Sequence, residues 1–311
     1  MRFLPLAYLA IAILPAQTPV SPDWQTAAGV KMAFDVASVK PTKSPRLPNF
    51  PLNNGNAKTP GGHLAASFSL GDYIQFAYKL EPSQWSAVRT QLPKWANDNY
   101  AIDAEAEGNP TKDQMRLMMQ SLLADRFKLK VHFETREVPV LALVLVKPDK
   151  FGPRLIRHSE GPPCPDSFEM LKLPPPGTPP PPLPKPSDVW PPQCGTSALF
   201  MATSERTRIG SRNTSLALAA EDIYLYGSQF GELDRPVVDQ TGLEGTFDFS
   251  LELPAGMSPF SLVPKQPNPD DDPKGTPFLN AVRQQLGLKL ERSKGEVRTL
   301  IIDQVEPPSE N

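Results

Sequence analysis

Residues 111–147 read TKDQMRLMMQSLLADRFKLKVHFETREVPVLALVLVK. Thr111 stands where a helix N-cap belongs, and Met115, Met118, Met119, Leu122 and Leu123 recur at helical spacing on one face. After Phe127 the apolar period drops from 3.6 to 2. KLKVHFETRE and then VPVLALVLVKP follow as two strands. A helix with one apolar stripe must bury it, and the adjoining strands offer the nearest surface. This stretch therefore predicts an α+β fold with helices packed on small antiparallel sheets.

Upstream, FDVASVK from Phe34 to Lys40 alternates as a half-buried strand, and a loop rich in Pro, Asn and Gly follows. HLAASF reads as a short strand. Ser69 then caps LGDYIQFAYKL, and YAIDAEAEG alternates as a further strand. Downstream the order returns. RTRIGSRN is a strand, Ser215 precedes the helix LALAAEDIYLYG, and TFDFSLELP alternates Phe247, Phe249, Leu251 and Leu253. TPFLNAVRQQLG makes a helix with Phe278, Val282 and Leu286 on one side, and LKLERSKGE with VRTLIIDQVEPP reads as a closing hairpin. Ser69-Leu70 matches Ser215-Leu216, Lys128-Leu129-Lys130 matches Lys289-Leu290-Glu291, and Val138 to Lys147 matches Val297 to Glu306. Such an ordered set of matches predicts two similar β-α-β-α-β-β units. They occupy residues 33–150 and 204–311, with a Pro-rich linker or loop over 151–203 between them.

Several of these stretches together resemble one family. They are FDVASVKP, SLGDYIQFAY, DNYAIDAEAEG, the block 111–147, RPVVDQTGLEGTFDFSLE and QLGLKLERSKGEVRTLIIDQVEPPSEN. The resemblance is to a soil-associated family of exported acidobacterial proteins, known as a domain of unknown function. Some of its members are fused to membrane-embedded metallopeptidases like the beta-lactam sensors. Those fusions imply extracytoplasmic sensing, but the role of the fused forms is not carried over, since this chain shows neither their several membrane spans nor their zinc-peptidase motif, and the family offers no catalytic residues to carry over. The helix-plus-strand half-units also resemble, more weakly, the short interaction domains of secretins and TonB-dependent receptors.

The N-terminus points to export. Met1-Arg2 precede an apolar run, FLPLAYLAIAILPA (Phe3 to Ala16), followed by AQTPVSP. As a helix the run reaches about 21 Å, short of the roughly 30 Å of a bilayer core, and Pro5 and Pro15 interrupt it. Residues 1–16 therefore read as a signal peptide, although Leu14 is an imperfect residue at the −3 position; residues 17–32 read as an N-terminal arm. The expected location is periplasmic or extracellular, with no stable transmembrane anchor after cleavage. A net charge of −2 provides no field for nucleic acid.

Of 311 residues 39 are proline, and many fall in one zone that also holds the two cysteines, Cys164 and Cys194. In an exported chain an even pair suggests a disulfide, worth about 3–4 kcal/mol for a loop of this length. Two free thiols or half of a metal site are the other readings; His158 is the nearest histidine for such a site. The enclosed PPPGTPPPPLPKP is expected to adopt polyproline II, either as a stiff spacer or as a ligand for an aromatic groove.

A search for chemistry returns little. His63, His132 and His158 fall in no HExxH spacing, and GxSxG, SxxK, Walker and GxGxxG motifs are absent. No catalytic, cofactor-binding or metal-ligating residue is assigned. Asp103, Glu105 and Glu107 alternate on one strand face, the pattern of a side facing water. Asp270 to Asp272 lack the spacing of a calcium loop. Asp239 in RPVVDQTGLEG suits an Asx-turn. The expected function is a non-enzymatic extracytoplasmic interaction or sensing module, with an envelope protein or glycan as partner. The rival is a hydrolase of envelope or extracellular polymer, built from scattered acids such as Asp103, Glu105 and Asp239.

Overall fold

The structure, a computed structural model, describes residues 23–29, 32–44, 46–55, 61–159, 194–195, 198–203, 206–254 and 277–308. The expected signal peptide, Cys164, the polyproline run and Asp270 to Asp272 lie outside them. The fold is α+β. In chain order the first elements are α1 (Asp23–Ala28), β1 (Val36–Thr42), β2 (Leu64–Ser69), α2 (Leu70–Tyr78) and α3 (Pro82–Arg89). After a short 3-10 turn come β3 (Asn99–Glu105), α4 (Lys112–Arg126), the long β4 (Lys130–Leu145) and β5 (Leu155–Arg157). The rest comprises β6 (Ala198–Thr203), β7 (Arg206–Thr214), α5 (Leu216–Gln229), β8 (Val237–Asp239), β9 (Phe247–Pro254), α6 (Pro277–Ala281) and the long β10 (Leu288–Gln304).

The helices begin where the side chains dictate. Ser69 Oγ accepts the amide of Asp72, whose carboxylate accepts the Ser69 amide in return. Thr111 and Gln114 exchange the same two bonds at α4, and Ser215 Oγ accepts the Leu218 amide at α5. The methionine and leucine stripe of α4 is fully inside. Val282–Leu286 continues α6 as one π-helical turn, ended by Gly287 in the left-handed region at φ 71°. Gly152 donates to Leu286 O there, and a Cβ on Gly152 would fall 2.3 Å from Gln285 O. Only glycine fits that crossing.

The described residues form three sheets. β3 lies between β1 and β2, and β9 lies between β5 and β7, with β6 beyond β7; every pairing in these two sheets is antiparallel. The third sheet has order β10-β4-β8. The succession β2-α2-β3-α4-β4 is thus followed by β7-α5-β9-α6-β10, and edge strand β1 stands to β3 as β5 stands to β9.

One expectation is corrected. Each unit ends in a single strand, where the pattern predicted two strands in 128–147 and a hairpin in 288–306. Residues 130–145 run unbroken and pair antiparallel along their whole length with 288–304. Two residues close to the expected breaks serve the strands instead. Gly295 has no positive φ; a Cβ placed on it would come within 3.1 Å of Val140 Cγ2, so it yields to packing rather than to a turn. Pro139 faces Lys294 at a pair whose amide groups point away from each other, so its missing N–H interrupts no bond to β10.

This ribbon of β4 and β10 serves two cores. Val131 and Phe133 at one end of β4, with Leu300 and Ile302 of β10, close a core built from β1 to α4. Leu141, Leu143 and Leu145 at the other end, with Leu288 and Leu290, close a core built from β5 to α6. Each long strand starts in the core of its own half and ends in the other. The chain positions 150 and 204 and the limits of the cores are therefore different boundaries.

Candidate functional site

A partly buried polar arrangement sits where the halves meet, at the first turn of α3. Glu81 precedes Pro82, whose fixed φ suits the first helical position. The Ser83 amide donates to Glu221 Oε2 at 3.0 Å and its hydroxyl to Glu221 Oε1 at 2.6 Å. Glu221 belongs to α5, so this bond ties one half to the other. Gln84 Oε1 accepts the Glu81 amide at 3.0 Å, and its Nε2 donates to Arg298 O of β10 at 2.9 Å. At the other end of α3, Gln91 donates to Leu300 O and accepts from Ile302 N, both at 3.0 Å. The helix is a joint between α5 and the ribbon.

Beside this joint stand Lys79 of α2's C-cap and Lys112, Asp113 and Arg116 of α4. Arg116 has no exposed surface and Lys112 only 4%. Arg116 is bonded to Asp113, donates to Asn53 O at 2.8 Å, and lies over the Phe76 ring. Lys112 Nζ donates to Asn53 Oδ1 and Gly55 O. Burial, followed by the charges of Arg116 and Lys79, brings the Lys112 amine down to about 7. Burial also raises the Glu81 carboxyl, and the nearby charge of Glu221 adds to the rise. Glu221 is likewise raised by burial, against the hydrogen bonds from Ser83. What the arrangement can do chemically is exchange a proton at the buried Lys112 amine, brought down to about 7.

The histidines are found in three different places, each with an acid. His63 Nε2 meets Asp103 at 3.2 Å beside the first sheet. His132 Nδ1 meets Asp303 at 2.9 Å and its Nε2 meets Glu134 at 3.2 Å, on the ribbon's outer face. The bonds from Asp303 and then Glu134 raise the His132 imidazole. His158 Nδ1 meets Asp248 at 2.7 Å, and Asp248 also accepts the amide of Asn213, which sits at φ 47° in a bulge of β7.

Asp103 and Glu105 are exposed on β3, as their alternation predicts. Asp239 accepts the amide and hydroxyl of Thr241 at 2.9 and 2.7 Å, the expected Asx-turn. Asp234 and Arg235 hold each other with two bonds of 2.8 Å. The rival's acids are thus spread over two sheets. Cys194 forms a single bridge with Arg212 of β7, while its expected partner Cys164 is outside the described residues. Among the described residues no group of three His, Cys, Asp or Glu could hold a metal ion. No described helix is long and apolar enough to cross a membrane.

Sequence reasoning did not find Glu81, Ser83 and Glu221, or the acids Asp248 and Asp303. Glu81-Pro82 is a legible helix start, but nothing in the sequence pairs it with α5.

Fold and joint together describe a two-core α+β protein whose halves exchange their final strands. The chain belongs to the family described as protein of unknown function (DUF3738), which matches residues 71–305. No curated protein and no solved structure matches it.

Proposed function

We propose that this is an exported, non-enzymatic interaction or sensing module that meets an envelope protein or glycan. Export is supported by the apolar run Phe3 to Ala16 behind Arg2. The resemblance to exported acidobacterial proteins, some fused to beta-lactam-sensor-like metallopeptidases, supports an extracytoplasmic setting. The single observation that carries the non-catalytic reading is the scatter of reactive groups. His63, His132 and His158 attend three separate sheets, each engaged by its own carboxylate. General acid–base chemistry needs such groups to converge on one reacting atom.

The test uses the full mature protein and a variant carrying H63A, H132A and H158A. Immobilised protein is titrated with purified envelope proteins and cell-wall glycans, and both forms are screened for hydrolysis of those polymers. The reading expects saturable binding of one component by both forms and no turnover. Turnover by the parent that the triple variant loses would favour the hydrolase instead, and absence of any saturable binding would remove the module reading.

The same setting supports a Cys164–Cys194 disulfide, which would tie both ends of the proline-rich excursion at one place beside β7. The bridge is proposed to stabilise, with no catalytic part.

A further inference from the structure

We propose that Lys112 and Asn53 are poised to join through an isopeptide bond, the Lys112 amine displacing ammonia from the Asn53 side-chain amide and tying the loop over α4 to that helix covalently. Lys112 Nζ donates to Asn53 Oδ1 at 2.7 Å and to Gly55 O at 2.8 Å. With a carbonyl of about 1.23 Å that accepts near its lone pair, Nζ lies about 3.5 Å from the amide carbon, the edge of attack distance. Lys112 is 4% exposed, and Asp113, next in the chain, is bound to Lys79 and Arg116. Among the described residues the amine has these two acceptors and no ion pair. Two acceptors match the two hydrogens of a neutral amine and leave its lone pair free, whereas an ammonium would hold a third N–H dry and unpaired. Burial, which brings the amine down to about 7, acts in the same direction. The loop is fixed from both sides of Asn53. Phe50 is fully buried with its ring 6.0 Å from that of Phe76, and Asn54 Nδ2 donates to Leu80 O at 3.1 Å.

In the step the Nζ lone pair forms the bond to Asn53 Cγ, the Cγ–Nδ2 bond breaks, and Nδ2 leaves as ammonia with one of the two amine hydrogens. The other hydrogen stays on the new amide and keeps its bond to Gly55 O. Nothing is oxidised or reduced. Amides resist amines in solution, but a well-oriented pair held together gains an effective concentration of about 10⁵–10⁸ M. Negative charge gathers on Oδ1 during the attack, and Arg116 is bonded to the same residue. Its Nη2 donates to Asn53 O at 2.8 Å, while its buried Nε has no acceptor. A donor fixed in advance beside a developing oxyanion lowers the barrier. Asn53 itself is exposed, which gives the ammonia a way out. Before the bond forms the amine titrates as a buried lysine; afterwards it is an amide and does not.

The test is intact mass and peptide mapping of the full mature protein, freshly purified and after long incubation in mild alkali, above the titration of the buried amine. The proposal expects a chain lighter by one ammonia and a branched peptide that joins residues 53 and 112. N53A should keep its full mass under the same conditions. A parent that keeps its full mass after incubation would overturn the proposal. So would a loss of ammonia confined to a linear peptide holding Asn54-Gly55, where the following backbone amide can close an imide instead. If N53A fails to fold, the parent decides alone, by the presence or absence of the branched peptide.

Discussion

Lys112 shows how one buried side chain sets a measurable pH dependence. Its amine is held between Asn53 Oδ1 and Gly55 O with little room for water, and burial brings it down to about 7. An unfolded chain binds a proton at this position up to about 10.4, so between the two values the unfolded state holds more protons. Stability should therefore rise as pH goes from 7 to 10, by something on the order of 3 kcal/mol. K112M should flatten that rise, measured by urea unfolding at each pH; an unchanged slope would show that the amine is not the group responsible. Arg116 is the opposite case. It remains charged, and R116L would leave the Asn53 carbonyl without its donor and Asp113 with Lys79 alone, costing about 3 kcal/mol in the same assay. Neither effect was legible in the sequence. KDQMR reads as the polar first turn of a helix, and only the return of residues 53–55 over it makes the site dry.

At the scale of elements, the caps were readable because they are local. Ser69, Thr111 and Ser215 each bond an amide three residues on, as their spacing predicts. The stripe of α4 and the alternation of β3 and β9 were readable for the same reason. The closing strands were not, because Gly295 and Pro139 carry turn signals locally and are extended only through the partner strand. A recurring device protects the sheet edges. Asn49, Gln91 and Gln285 each pair their side-chain amide with backbone groups at an open strand edge, along β2, along β10 and at the end of β9 that runs past β5. One side chain thus replaces a missing neighbour strand. Q91L would leave Leu300 O and Ile302 N unpaired. Its expected effect is a loss of about 1–2 kcal/mol in chemical unfolding and greater self-association in sedimentation, since an open edge invites pairing. A monomer as stable as the parent would show that the edge is protected by something else.

For the whole molecule, the resemblance between halves and the ribbon that joins them belong together. In the sequence match Val138 corresponds to Val297, so Glu137 corresponds to Glu296, the residue it faces across the ribbon. The ribbon is thus centred on a pair of like positions, as expected if two similar units exchanged their last strands. The proposed Cys164–Cys194 bridge is checked by peptide mapping without reductant. A cross-linked peptide is expected, and two alkylatable thiols in undenatured protein would contradict it. The exchange itself is tested most directly by cysteine pairs. Glu137 and Glu296 are exposed and opposite at a position without hydrogen bonds between them, where Cα atoms lie about 4.5 Å apart, close enough for a disulfide. Thr135 and Pro139 would approach each other only in the hairpin that the sequence pattern suggests, and in a continuous strand stand about 13 Å apart. Mild oxidation followed by mass mapping should cross-link E137C/E296C and leave T135C/P139C reduced. Cross-linking of T135C/P139C with E137C/E296C remaining reduced would contradict the exchanged ribbon.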